Sequence, residues 1–436
     1  MAPSLLRSLR RWDLVAVVLN GVIGAGIFGL PSEAFAKSNV YSLIAFGVCA
    51  ISVSIIVLSF CEVASRFSGS GGPYLYARET YGATTGFTIG WLVWIARISS
   101  FAANCNQLPK HLDLFFPGAG AGVARALIIT FVVLLLAAVN ITGIRPAAHA
   151  SNVLALGKLI PLAIFVVVGL FFIDPARLTF GTFPGYQNFS GTVLILVYAF
   201  TGFEMAVIPA GEARDPRKQL PAALMMGMIT VVVFYVMIQV VYIGTCPSNL
   251  LNKLGKPSET PLADAAGSFA GAWGTFMITA GIVVSLAGNL NVLILAASRI
   301  IFAMGERGDL PRRFAAIHPR HRTPVAAILV TTAAMLALTL SGTFSSQVKL
   351  STVARLATYL ATCIALPLLR RRPDAPPAVF TMPAGIAIAA GGTALCGWLL
   401  SNAPREEVRG ASIAAAIGLM LYGANRLAKR GADERT

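Results

Sequence analysis

Apolar residues in this chain come in long runs separated by short connections that carry most of the charge. About 20 apolar residues in a helix cross a hydrocarbon core of about 30 Å. By that measure the pattern predicts twelve spanning helices, near residues 13–34, 40–64, 84–108, 122–142, 151–173, 190–211, 220–245, 266–303, 324–342, 347–369, 382–400 and 409–428. The eighth is long enough to extend past the bilayer as a helix. The connections are too short to fold alone. Residues 1–428 therefore read as one transmembrane domain, with a tail at 429–436.

Composition agrees with this pattern. Of 436 residues, 56% are hydrophobic and 12% charged, whereas a soluble domain carries roughly twice that share of charge. A soluble cytosolic enzyme is excluded. The formal net charge of +16 would suggest nucleic acid in a soluble chain, but here the basic residues cluster in alternate connections. With the N-terminus inside, more than twice as many Lys and Arg lie on the cytoplasmic as on the external side. Both termini are accordingly placed in the cytoplasm, with Arg370-Arg371-Arg372 and the basic stretch 307–322.

Arg7, Arg10 and Arg11 followed by Ala34-Phe35-Ala36 resemble a cleaved signal. The intervening stretch is long, broken by glycines and opened by Asp13, so a retained helix is expected. Six cysteines show no paired spacing and read as small core fillers. His111, His149, His318 and His321 sit at span ends or in loops. No metal site, cofactor motif, phosphate loop or nucleophile elbow is present, and the chain is expected not to be an enzyme.

Two spans are interrupted. The first contains Gly21-Val22-Ile23-Gly24-Ala25-Gly26-Ile27-Phe28, then Pro31; the sixth contains Tyr198-Ala199-Phe200-Thr201-Gly202-Phe203-Glu204, then Pro209. Glycines alone would equally serve close helix packing. Paired interruptions five helices apart instead suggest spans one to five (13–173) repeated as six to ten (190–369), with two helices added (382–428). An odd number of spans per repeat inverts the second copy. Where a helix unwinds in the membrane, its free N–H groups attract a carboxylate and its free carbonyls an ammonium. A zwitterionic amino acid carries both. The candidate substrate-binding residues are therefore Val22, Ile23, Gly24, Ala25, Gly26, Tyr198, Thr201 and Gly202.

These residues resemble the amino acid, polyamine and organocation (APC) superfamily. Gly21 to Phe28 is similar to its first-helix signature. Similar stretches are Glu62–Phe67 with Ser70–Tyr74, Gly211–Arg217 with Pro221, and Ser298–Met304 running through Leu310-Pro311 to Thr323-Pro324. The resemblance implies an all-α LeuT-type 5+5 inverted repeat with helices 1 and 6 discontinuous, and alternating access for an amino acid or amine. It also implies that Tyr198 is an aromatic gate, and that Lys158 occupies the place of a sodium ion. Glu204 matches a helix-six glutamate that is proton-sensitive in some members.

Ionisable groups deep in spans are functional candidates by default. Lys158, Arg97, Glu204 and Arg355 stand out. Lys158 is expected to contact carbonyls freed at the first break, near Ser285; snorkelling to the interface is the alternative. Arg97 is expected to pair with Glu204 or to meet a substrate carboxylate. Arg355 is expected to snorkel or pair structurally, and Arg299 to reach the interface from a helix end. Phe200, Phe203, Trp91 and Trp94 are expected to face neighbouring helices. Asn104, Ser285, Asn289 and Asn291 read either as side-chain contacts for a substrate or as bridges between helices. The expected function is secondary active transport of an amino acid or amine across the cell membrane, proton-coupled or exchanging. The partners are the substrate, protons and the bilayer, with no nucleic acid and a monomer by default. A sodium symporter and a substrate-gated channel or sensor are the alternatives.

Overall fold

The structure is a computed structural model. It describes residues 4–433 except 25, 114, 247–257, 259 and 342–343; of residues 198, 344–350 and 428–433 it describes the backbone. The α-helices are α1 (Arg11–Val22), α2 (Gly26–Ser38), α3 (Ser42–Ala64), α4 (Pro73–Tyr81), α5 (Ala83–Leu112), α6 (Gly122–Thr142) and α7 (Ile144–Gly169). They continue with α8 (Tyr186–Ala199), α9 (Pro216–Thr245), α10 (Pro261–Glu306), α11 (Val325–Ser341), α12 (Phe344–Arg371), α13 (Gly385–Ser401) and α14 (Arg405–Asp433).

Among the described residues, seven helical segments are long and apolar enough to cross a membrane. The remaining expected spans fall short for identifiable reasons. The first and sixth are split by their interruptions, and α11 has 17 residues. α13 and α14 pass only as a pair bent by 108°. The long eighth span is α10, which changes direction at Gly271, where φ is +61°. Large apolar side chains such as Phe131, Leu156 and Ile229 point outward and are more than half exposed, as lipid-facing positions must be in a helical membrane protein. All six cysteines are free and buried.

The two interruptions differ in form. α1 stops at Val22 and α2 begins at Gly26; in the first break Ile23 and Gly24 form a tight bend in which Gly24 N donates to Val22 O at 2.9 Å. After α8 the chain turns at Gly202, with φ +115°, and continues as short 3₁₀ turns over Phe203–Val207 and Ala210–Glu212. The expected interruption of the sixth span is therefore present, but 3₁₀ turns and not a second α-helix follow it. Pro209 lacks an N–H, which removes one helical hydrogen bond from this stretch.

The N-terminal segment is tied to the end of this irregular stretch. Ser8 and Leu9 donate backbone N–H to Glu212 O at 2.9 and 3.0 Å, and Arg214 N donates to Leu9 O at 3.1 Å. Glu212 also accepts from Nε and Nη2 of Arg299 on α10, at 3.2 and 3.1 Å. Arg299 is fully buried. The expectation that it reaches the interface is therefore wrong: a bidentate carboxylate lies within reach and replaces water as its partner.

Candidate substrate and coupling site

A helix that ends inside a protein leaves its last carbonyls without intrahelical partners. At the end of α1 Leu19 O keeps a backbone partner, Ile23 N at 2.9 Å, and the carbonyls after it meet side chains from other helices. Asn289 Nδ2 of α10 donates to Asn20 O and Gly21 O at 2.9 and 3.1 Å. Tyr235 OH of α9 lies 3.2 Å from both Val22 O and Ala199 O, the last carbonyl of α8. A hydroxyl has one proton, so Tyr235 serves the two broken helices alternately. Ile23 O accepts from Lys158 Nζ of α7 at 2.6 Å and from Ser285 Oγ of α10 at 2.9 Å. Lys158 also donates to Ser285 O at 3.3 Å and is fully buried.

The two breaks touch each other. A Cβ on Gly21 would stand 2.5 Å from Gly202 O, and one on Gly202 would stand 2.2 Å from Gly21 O. Close packing and interruption, posed as alternatives from the sequence, coincide at this pair. Just beyond it lies a buried ionic cluster. Glu204 Oε1 accepts from Arg97 Nη2 of α5 and lies 3.7 Å from Arg355 Nε of α12. Its Oε2 accepts from Tyr359 OH at 2.6 Å and from Gly202 N at 3.0 Å. Arg97 and Glu204 are essentially inaccessible.

Between the breaks is a cavity of about 30 Å³, room for about two water molecules. Gly21, Val22, Gly24 and Gly26 line it from the first break, and Ala199, Thr201 and Met205 from the second. Ser100 and Asn104 of α5, Asn289 of α10 and Arg355 of α12 complete the wall. Gly26 opens α2, so the cavity meets a helix N-terminus with free N–H groups.

The structure thus brings Val22, Gly24, Gly26 and Thr201 to the cavity. Ile23, Lys158 and Ser285 meet one shell outward, and Gly202, Glu204 and Arg97 form the adjoining cluster. Ala25 and the side chain of Tyr198 lie outside the described residues. Trp91 and Trp94 donate to Ala414 O and Thr331 Oγ1, while Phe200 and Phe203 pack in aromatic pairs with Tyr235 and Tyr359; all four face neighbouring helices. Asn104 bonds Asn289 at 2.7 Å on the cavity wall, whereas Asn291 bridges Asn140 and Ala147 O.

Of the two alternatives for Arg355, pairing is the one found. It is 6% exposed, so it does not snorkel; beside Glu204, its Nη1 donates to Thr201 Oγ1 and its Nη2 to Ser100 Oγ at 2.9 Å, on the cavity wall. Tyr359 and Ser100 escaped sequence reasoning altogether. Their signal was present as helical spacing: Arg97, Ser100 and Asn104 share one face of α5, and Ser351, Arg355 and Tyr359 share one face of α12.

Comparison with known proteins supplies the family. The amino acid permease family matches residues 9–422. The serine/threonine exchanger SteT of Bacillus subtilis (strain 168) is 28% identical over 85% of this chain and 84% of its own length. The branched-chain amino acid permease BcaP of the same organism is 24% identical over 96% of this chain and 93% of its own. The arginine/ornithine antiporter of Pseudomonas aeruginosa is 29% identical over 71% and 66%. These relatives are transporters, and this chain, a multi-pass membrane protein with a small cavity between two interrupted helices, belongs to the amino acid permeases of the APC superfamily.

Proposed function

We propose that the protein is a secondary active transporter that carries an amino acid or related amine across the cell membrane by alternating access, in exchange or coupled to protons. Twelve spans with both termini cytoplasmic, in a LeuT-type arrangement of 13–173 repeated inverted as 190–369 plus 382–428, are the architecture this reading uses. The protein works as a monomer. The substrate's carboxylate is held by N–H groups at the start of α2, and its ammonium by carbonyls flanking Val22 and Thr201, under Tyr198.

The observation that carries the reading is the Lys158 ammonium on Ile23 O beside Ser285. A cation fixed on α7 satisfies the open end of α1, so moving α1 away from α7 must break that contact. Proton binding and release at Lys158 or Glu204 is then linked to the conformational change. Lys158 also stands where a separate metal cation would otherwise satisfy the carbonyl, which supports sodium independence. The printed names of two relatives, an exchanger and an antiporter, support exchange. A cavity this small holds no amino acid, so binding requires a more open form.

The test is uptake and counterflow in proteoliposomes over a panel of amino acids and amines, at two pH values with and without sodium. Saturable counterflow that ignores sodium is expected, and Lys158→Ala lowers its rate at least about tenfold, the loss of one charged contact. A flat response to every amino acid rejects transport. Wild-type rate and affinity in Lys158→Ala reject the coupling role, and strict sodium dependence rejects the ion assignment.

A further inference from the structure

Resting on the transport reading above, the charges around the cavity narrow the substrate class. Two guanidinium groups, Arg97 and Arg355, share one buried carboxylate, Glu204. That carboxylate is fully engaged: Arg97 holds Oε1, while Tyr359 OH and Gly202 N hold Oε2. Other buried acids have partners of their own. Glu62 is held by Arg370, Glu212 by Arg299, and Asp309 by Tyr74 and Arg78. Glu407 shares an outer side pocket with Arg355 but is partly exposed, so solvent and salt screen it.

Arg355 consequently faces the cavity with its two Nη groups on neutral hydroxyls, Thr201 and Ser100, and with Nε lacking a hydrogen-bond acceptor. A guanidinium does not lose its proton in a protein, so the excess positive charge is permanent. Among the described residues no Asp or Glu lines the cavity. A buried charge that shares its counter-charge with a second guanidinium is incompletely compensated, and the hydroxyls now opposite Arg355 can rotate to release it. The α-carboxylate of a substrate has its own donors at the start of α2, on the opposite wall. What Arg355 lacks is a second anion.

We infer that the transported substrate is an α-amino acid with a carboxylate side chain, of the aspartate or glutamate kind, and that Arg355 is the residue that selects it. The side-chain carboxylate replaces Thr201 and Ser100 as acceptor for the guanidinium fork and completes the charge balance with Glu204. A cationic side chain meets repulsion there. A neutral amide offers one acceptor and no charge.

The experiment compares uptake of aspartate and glutamate with that of asparagine and glutamine, which match them in shape, and with serine and arginine, in proteoliposomes of the full-length protein. The expected half-saturation concentration for each acid is at least about tenfold below that of its amide. In Arg355→Gln the acid-to-amide ratio approaches one. The wild-type comparison decides even where the variant folds poorly, and the melting temperature of purified Arg355→Gln identifies that case. Equal or better use of the amides, serine or arginine by the wild type overturns the inference and leaves amino acid transport standing. No movement of any amino acid overturns both. An unchanged acid preference in folded Arg355→Gln overturns the role given to that residue.

Discussion

Glu204 is the residue on which most of the buried chemistry converges, because one carboxylate serves two arginines, a tyrosine and a backbone N–H. Removing one partner of a buried ion pair leaves the other charged and unsolvated, at a cost of about 3–5 kcal/mol. Glu204→Gln is therefore expected to lower the melting temperature of the detergent-purified protein substantially. Adding Arg97→Gln should restore part of that loss, because the double variant no longer buries an unpaired guanidinium. A double variant less stable than Glu204→Gln alone would contradict the pairing. At this scale the sequence was informative about which residues are unusual, since charge inside an apolar run is conspicuous. It named partners for two of them, Glu204 for Arg97 and the first-break carbonyls near Ser285 for Lys158, and left the others open. Arg299 was placed at the interface and Arg355 either there or in a structural pair, because distance along a helix was the available guide; both are buried against side chains that come from other segments.

At the scale of elements, the contact between the two breaks rests on an absent side chain. Gly21 and Gly202 approach backbone to backbone, and Gly202 also adopts a positive φ that residues with a Cβ avoid. Gly21→Ala is expected to force the breaks apart and abolish uptake. Gly29→Ala is the matched control: it lies in the same span, inside α2, with nothing within 4 Å of the added Cβ. Alanine there should retain uptake and raise helix stability by up to about 1 kcal/mol. Uptake measured for both variants, with melting temperature alongside, checks the pair; normal transport by Gly21→Ala would show that the contact is dispensable. The existence of both interruptions was legible from glycine and proline. Their different forms were not, because whether a chain leaving a helix makes a single bend or continues in 3₁₀ turns depends on what accepts its hydrogen bonds.

For the whole molecule, orientation is the property that charge in the connections decides. The native cysteines are all buried, so an impermeant thiol reagent should find little background on intact cells. Glu406→Cys, at an exposed position in the first turn of α14, is expected to react from outside. Ser4→Cys, also exposed, should react only after the membrane is permeabilised. Labelling of Ser4→Cys on intact cells would invert the topology. The bridge from Ser8 and Leu9 to Glu212 joins the N-terminal segment to the stretch that follows the second break, so both breaks are anchored at the same end of the molecule.

Run length and composition by themselves determined that this chain is an all-helical membrane protein, because a bilayer imposes one length and one polarity on every crossing segment, and glycine and proline marked the two interruptions. The family motifs lie within single connections or helix ends and were legible for the same reason. Tertiary structure decided between the alternatives left open for Arg97 and Lys158, and it alone showed which carbonyls Asn289 and Tyr235 satisfy, that Tyr359 joins Glu204, and that Arg355 faces the cavity. Most of those contacts join residues more than a hundred positions apart in the chain, and hydropathy, which is local, carries no information about them.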